Sequence, residues 1–334
     1  MLTLKRFKVA VAKIGKLDSS AAANAIGLAN ACQHSFGFSE LYEPNFRLKK
    51  FRLRNGGYDL DLAATELITK TRLKGYPLLL TEDPYGSKST EEQSDDFYFC
   101  GELTGQGGIV ISTHLWFGIN SGRSLQSYIL FMLGSTLLAK LGGLHFHEET
   151  RGCLMDYCAE PKDFATSFAN GALCSPCCEQ VERSIRAGTI SRAQYAACIR
   201  LVSRGRGVRR CFVVMPFREE LDRVFRKTVS PALQENGYEV VRGDETIWPR
   251  IISEAIVSEI LSSDLIVADI TDHNPNVFYE IGVADAIGAD IVLLCQQGQS
   301  IPFDINQRRT IYYKPSEHVK LTNAIRALTR SAAS

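Results

Sequence analysis

From residue 211 onward, apolar and polar positions follow two alternating rhythms. "CFVVMPF" (211–217) is a short apolar run with β-branched residues, and "REELDRVFRKTVSPALQENG" (218–237) repeats apolar positions at helical spacing up to a Gly stop. "YEVVRGDE" (238–245) reads as strand then loop, "IISEAIVSEILSS" (251–263) as helix, "DLIVADI" (264–270) as a buried strand and "VFYEIGVADAIG" (277–288) as helix. "DIVLLCQ" (290–296) is another buried strand, and "TIYYKP" (310–315) with an amphipathic helix to Ala332 closes the unit. Continuous apolar strands alternating with helices predict an α/β fold, a doubly wound parallel sheet of flavodoxin-like type covered on both faces. Ligands of such sheets bind beyond the carboxyl ends of the strands.

The first half carries the longest apolar run, "SYILFMLGSTLLAKLGGL" (127–144), with small residues throughout and a lysine near its end. It predicts a buried helix rather than a bilayer span, and no membrane association. Between Val181 and Arg210 the chain is helical and Arg-rich and ends in a Gly/Arg stretch without apolar periodicity. This places a domain boundary at 205/206, giving domains 1–205 and 206–334. The basic cluster is more simply a solvated linker than a phosphate contact.

A length of 334 residues suits two domains. Lys plus Arg number 38 against 37 Asp plus Glu, a formal charge of +1, so no overall field recruits nucleic acid or an anionic membrane. "MLTLKRFKVAVAKIGKLDSS" is interrupted by charges and lacks the pattern of a secretory signal, which predicts a cytoplasmic protein. In that reducing compartment the ten cysteines are thiols or metal ligands rather than disulfides. Five lie between Cys153 and Cys178, where "CSPCC" and the upstream Cys153 and Cys158 have zinc-site spacing. Reduced buried cysteines would satisfy the same pattern.

The carboxyl-end rule selects the residues of the second half that carry chemistry. Met215, Pro216 and Phe217 follow the first strand, and Arg242 to Glu245 follow the second. The third ends at Asp269 and runs through "TDHNPN" to Tyr279 and Glu280. Asp244, Asp269, Asn274, Asn276 and Glu280 are expected to share a pocket. A carboxylate there can attack the anomeric carbon of a ribosyl group as the base departs, leaving a glycosyl-enzyme for water or another base to resolve. Asp269 or Asp244 would hold sugar hydroxyls or protonate the base, and the helix N-terminus near Asn276 offers N–H groups to a phosphate. The bland alternative stays open: Asp269 and Asn274 also fit ordinary turn and cap positions, and Glu280 an acid near a helix N-terminus.

"CFVVMPF", "GYEVVRGDE" and "SDLIVADITDHNPNVFYEIGVADAIGADIVLLCQ" resemble the nucleoside 2-deoxyribosyltransferase-like superfamily, over about residues 210 to 315. The resemblance implies that Glu280 is the nucleophile, that Asn274 contacts the sugar and that Asp269 is the acid closing the strand. Many members carry Asp or Ser where Asn274 stands, so transferase activity and sugar choice do not carry over with the rest. TIR-type domains, which split NAD with a glutamate, are more distantly similar. The implied substrate is a nucleotide, a nucleoside or NAD, and the implied setting a bacterial defence protein.

In the first half, "FYFCGELTGQGGIVISTHL", "LGGLH", "CLM" and "LCSPC" occur in an order that resembles the archaemetzincins, zinc peptidases of α+β metzincin type. Laying Gly142 and His145 on the family's Gly and third His puts Ser135, Thr136 and Ala139 where two histidines and a glutamate belong. The resemblance thus implies a degenerate domain, inactive as a peptidase, with a structural zinc on Cys153, Cys174 and Cys177 and either His147 or Cys158 as fourth ligand. No organic cofactor is expected. The domain would bind an unidentified ligand or protein, and the oligomeric state is open between monomer and homo-oligomer. Two other readings compete: a nucleotide-sensing module without catalysis, and a metalloprotease using His145, His147 and Glu148.

Overall fold

The computed structural model describes residues 6–15, 17, 19–42, 46–54, 56–72, 74–86, 99–103, 107–118, 123–158, 161–243 and 252–331. The chain divides into two compact units, Met1–Gly207 and Val208–Ser334.

The first unit contains β1 (Phe7–Lys13), α1 (Ser19–Ala31), β2 (Phe36–Tyr42), β3 (Tyr58–Asp59), α2 (Leu60–Thr71), β4 (Tyr76–Thr81) and β5 (Tyr85–Gly86). It continues with β6 (Cys100–Leu103), β7 (Gly108–Ser112), α3 (Leu125–Gly142), α4 (Pro161–Asn170), α5 (Ser175–Arg186) and α6 (Arg192–Gly205). The main sheet has the order β2-β1-β4-β7-β6, parallel except for the antiparallel edge strand β6. Val9, Val11, Leu78, Leu80, Ile109 and Ile111 face the core that contains α1 and α3, while Ala12, Leu79 and Val110 face α2. This two-sided burial explains why these strands lack polar alternation.

Helix α3 is the apolar run of the sequence, and 67% of it is buried inside the unit. It packs against α1, α5 and α6. The contact with α6 depends on two glycines. A Cβ on Gly205 would fall 2.5 Å from the Phe131 amide nitrogen, and one on Gly134 would fall 2.6 Å from the Cys198 carbonyl oxygen.

The second unit contains β8 (Arg209–Val214), α7 (Glu219–Val224), α8 (Ser230–Glu235), β9 (Tyr238–Arg242), α9 (Ile252–Ser262) and β10 (Leu265–Asp269). It closes with α10 (Pro275–Ala286), β11 (Ile291–Gln296), β12 (Thr310–Tyr313) and α11 (His318–Ser331). The helix expected over 218–237 is realised as α7 and α8, joined without a break by a π turn at Phe225–Val229. All five strands are parallel, in the order β9-β8-β10-β11-β12. Counted within the unit this is 2-1-3-4-5, the flavodoxin-like doubly wound arrangement whose direction reverses between β8 and β10. Cys211, Val213, Leu265, Val267 and Leu294 join the core under α7, α8 and α11. Phe212, Val214, Ile266, Ala268 and Leu293 join the opposite core under α9 and α10.

At the carboxyl end of this sheet one polar contact spans three strands. Asp269, 2% exposed, accepts the Tyr313 hydroxyl of β12 on Oδ2 at 2.6 Å and the Thr271 amide on Oδ1 at 3.0 Å. The Gln296 amide at the end of β11, which lies between them, donates to the Thr271 hydroxyl at 3.2 Å. Tyr313→Phe, which leaves a buried carboxylate oxygen unpaired, is expected to cost about 1–3 kcal/mol in denaturant unfolding. In the first unit Gly205→Ala should lower the melting temperature, because backbone atoms must move to admit the methyl. Gly27→Ala in α1, where a Cβ meets nothing within 4 Å, should raise stability by about 0.5–1 kcal/mol.

Candidate functional sites

In the second unit the reversal of strand order separates the loops after β8 and β10 and opens a crevice between them. Met215 and Pro216 are buried beyond β8 while Phe217 is 69% exposed. Arg218, next along, forms an ion pair at 2.6 Å with Asp272 in the loop after β10, so the two loops are bridged across the crevice. Asp272 and His273 both take left-handed backbone conformations, φ 62° and 53°, that non-glycine residues adopt rarely. Gln299 holds the first of them, accepting the Asp272 amide at 2.8 Å and donating to its carboxylate at 3.2 Å. The His273 ring nitrogen Nε2 donates to the Ser300 carbonyl at 2.7 Å.

The strained turn delivers the chain to Asn274, which caps α10 by accepting the Asn276 amide at 2.9 Å, with Pro275 in the first helical position. Val277 and Ile281 anchor the helix in the core. Tyr279 is 60% exposed. Glu280 is half-buried between these positions, and no hydrogen bond or ion pair reaches it among the described residues. Burial alone pushes its carboxyl up from 4.5 to about 7.

The sequence expectation for Asp269 changes in kind. Burial raises its pKa against the opposing hydrogen bonds of Thr271 and Tyr313, and both oxygens are engaged in holding the loop. Each of its oxygens already accepts one hydrogen bond, which ties β12 and the Thr271 turn to the end of β10. Asn274 likewise spends its side-chain oxygen as a helix cap. Asp244 lies outside the described residues. Sequence reasoning missed Tyr313 and the Arg218–Asp272 bridge, whose partners are too far apart in the chain for any spacing signal.

In the first unit, His147, Cys153, Cys174 and Cys177 converge, with their donor atoms all within 4.8 Å of one another. A backbone bridge of His147 with Asp156 sets the histidine beside the Cys153 loop, and one of Cys153 with Ala172 joins that loop to the segment leading to Cys174. Cys174 caps α5 and Cys177 lies in its first turn, so one helix end supplies the other two. The amides of Met155 and Cys174 both donate to Cys153 Sγ at 3.3 Å. His147 Nε2 lies 3.6 Å from Cys174 Sγ. Burial raises the Cys174 thiol, but the Cys177 amide and the neighbouring Cys177, Cys153 and His147 side chains outweigh it and bring it down to about 7. Burial pushes Cys177 and Cys153 up.

Of the two candidates for the fourth position, the cluster contains His147. Cys158 stands apart, with its thiol turned to the Asp156 carbonyl at 3.4 Å. A tetrahedral zinc with bonds of about 2.3 Å to sulfur separates its donor atoms by roughly 3.8 Å, so a one-histidine, three-cysteine set of this compactness fits the ion. Of the residues aligned with the peptidase metal positions, Ser135 and Thr136 are buried within α3, and each donates its hydroxyl to the Met132 carbonyl. His145 and Glu148 are exposed and lie outside the cluster that holds His147.

No protein-family profile and no curated protein matches the chain. Among solved structures, the archaemetzincin from Methanopyrus kandleri is similar with a TM-score of 0.36 and 15% identity, over 54% of this chain and 96% of that one. A 2-deoxyribosyltransferase from Bacillus psychrosaccharolyticus is similar with a TM-score of 0.30 and 18% identity, over 35% of this chain and 90% of that one. A CMP N-glycosidase from Clostridium botulinum has a TM-score of 0.29 and 22% identity, over 35% of this chain and 99% of that one. Each likeness covers part of this chain and is low in identity.

Proposed function

We propose that the second unit cleaves the N-glycosidic bond of a nucleotide, a nucleoside or NAD, as a hydrolase or ribosyltransferase, with Glu280 as nucleophile. The observation that carries this reading is Glu280 itself, a half-buried carboxylate at a strand-order reversal with no partner among the described residues. A structural acid at such a depth is ordinarily paired, so an unpaired one suits a group kept for a substrate. Its oxygen attacks C1′, the bonding pair leaves with the base, and water or a second base then displaces the sugar from the glutamyl ester. The exposed faces of Phe217 and Tyr279 suit a flat base. Asn274 and Asn276 border the sugar side of the helix terminus, and Asp244 is the remaining acid for protonating the leaving group.

A structural zinc on His147, Cys153, Cys174 and Cys177 is the corresponding proposal for the first unit. It supplies no chemistry to the reaction; it would fix the end of α5 to the 147–156 segment. We infer a cytoplasmic protein, a compartment in which thiols outside any disulfide persist, with base loss in a bacterial defence response as the setting and an unidentified ligand of the first unit as trigger.

Incubation with NAD, deoxynucleotides and nucleosides, with free bases resolved by chromatography, tests the activity. Wild type is expected to release base and Glu280→Gln to lose more than about 100-fold of the rate. The wild-type rate should rise with pH up to about 7 and then level as Glu280 ionises. Nucleotide binding by both proteins without release by either would instead identify a sensing module.

The same shift has a sign in stability. Because folding raises this carboxyl from 4.5 to about 7, its ionisation opposes the fold progressively across that pH window and fully above it. The cost is at most about 3 kcal/mol. Glu280→Gln should therefore unfold at higher denaturant than wild type at pH 8 and at nearly the same denaturant at pH 4. Elemental analysis of protein purified without chelator should give about one zinc per chain, lost in Cys174→Ser.

A further inference from the structure

Asp156 lies three residues beyond Cys153 and is 4% exposed. Its two oxygens are treated unequally. Oδ2 accepts three hydrogen bonds, from the Arg151 amide at 2.9 Å, the Cys153 amide at 2.9 Å and the Ser167 hydroxyl at 3.2 Å. Oδ1 is buried and has no aligned donor. The His147 Nδ1 lies 3.2 Å from it. The Glu149 carbonyl, also 3.2 Å from that nitrogen, is its aligned acceptor in this conformation, so carbonyl and carboxylate compete for one proton. An ionised carboxylate with one oxygen saturated and the other buried without a donor is costly unless a proton is directed at it.

The backbone makes the facing geometry unavoidable. The His147 amide donates to the Met155 carbonyl at 3.0 Å and the Tyr157 amide donates back to the His147 carbonyl at 2.9 Å, so His147 and Asp156 are held side by side. The imidazole therefore spans from the carboxylate on its Nδ1 side to Cys174 Sγ on its Nε2 side.

We infer that Asp156 is a positioning residue for the metal cluster, taking the Nδ1 proton of His147 on Oδ1 so that Nε2 keeps its lone pair for the ion. This rests on the zinc reading of the cluster. A neutral histidine has one N–H and one lone pair, and the partner of the first decides where the second points. A ligand histidine commonly gives its distal N–H to such a carboxylate, and loss of that carboxylate weakens metal binding about 10–100-fold. Asp156 also binds the Cys153 amide, so a single carboxylate fixes the backbone of one ligand and the tautomer of another.

The test uses the full chain and cobalt(II) as probe. Wild type loaded with cobalt should show thiolate charge-transfer and tetrahedral d–d bands. In Asp156→Asn the amide oxygen can keep the three Oδ2 donors while the amide nitrogen faces His147 Nδ1 and favours the wrong tautomer. Competition against a chelating dye should then show about 10–100-fold weaker cobalt binding, with altered d–d bands. Ser167→Ala, which removes one Oδ2 donor and leaves Oδ1 untouched, should bind cobalt like wild type.

Nitrogen-15 shifts of the histidine rings in zinc-loaded wild type give a second measurement that needs no variant. They should report His147 protonated at Nδ1 and metal-bound at Nε2. A wild type that binds cobalt with an Asp156→Asn variant of equal affinity, or a His147 bound through Nδ1, overturns the role of Asp156 and leaves the metal site standing. A wild type that takes up no cobalt overturns the metal site and this role with it.

Discussion

A parallel sheet buried on both faces has no room for polar side chains along its strands, so its chemistry is confined to the strand ends. In the second unit Cys211 to Val214 and Leu265 to Ala268 send alternate side chains into two separate cores. The first polar residue of β10 is Asp269, the last of the strand. All that follows, the bridged loops, the capped helix and the half-buried glutamate, is built on the few residues left over once the two cores are filled. The first unit obeys the same constraint in its sheet, and its polar cluster is displaced to the loops around α5.

Three acids illustrate how desolvation sorts carboxylates. Asp269 is the most deeply buried of the second unit's pair and is satisfied by a tyrosine, an amide and a fixed loop. Asp156 is satisfied on one oxygen and faces an imidazole with the other. Glu280 is half-buried with no partner among the described residues, and burial moves its proton affinity toward neutrality. The cost of burial is the same physics in each case; what differs is how many donors the fold supplies.

The doubly wound class was legible because its signal is local: apolar runs of strand length, helical spacing between them and glycine stops. The continuity of α7 and α8 through a π turn was not, because a one-residue change in hydrogen-bond register leaves the apolar spacing nearly unchanged. For the cluster of His147 with three cysteines, cysteine spacing pointed to the segment, yet it could not decide between His147 and Cys158. That choice is made by the backbone bridge that sets His147 beside Asp156, a contact of tertiary geometry. Asp269 looked like a free acid for the same reason: its partner Tyr313 is 44 residues away. A strand-end acid can be recognised from sequence, but not whether a distant hydroxyl has already claimed it.

The turn at Asp272 and His273 ties these threads to inheritance. Its unfavourable backbone is held by Gln299 and Ser300, residues of a surface turn after β11 that has no chemistry of its own. Surface turns are usually where sequences drift and lengthen freely. Here a one-residue insertion would release two strained residues and, with them, the direction in which α10 presents Glu280. Lineages carrying this fold should therefore show a length constraint at a place where nothing about the reaction would call for one.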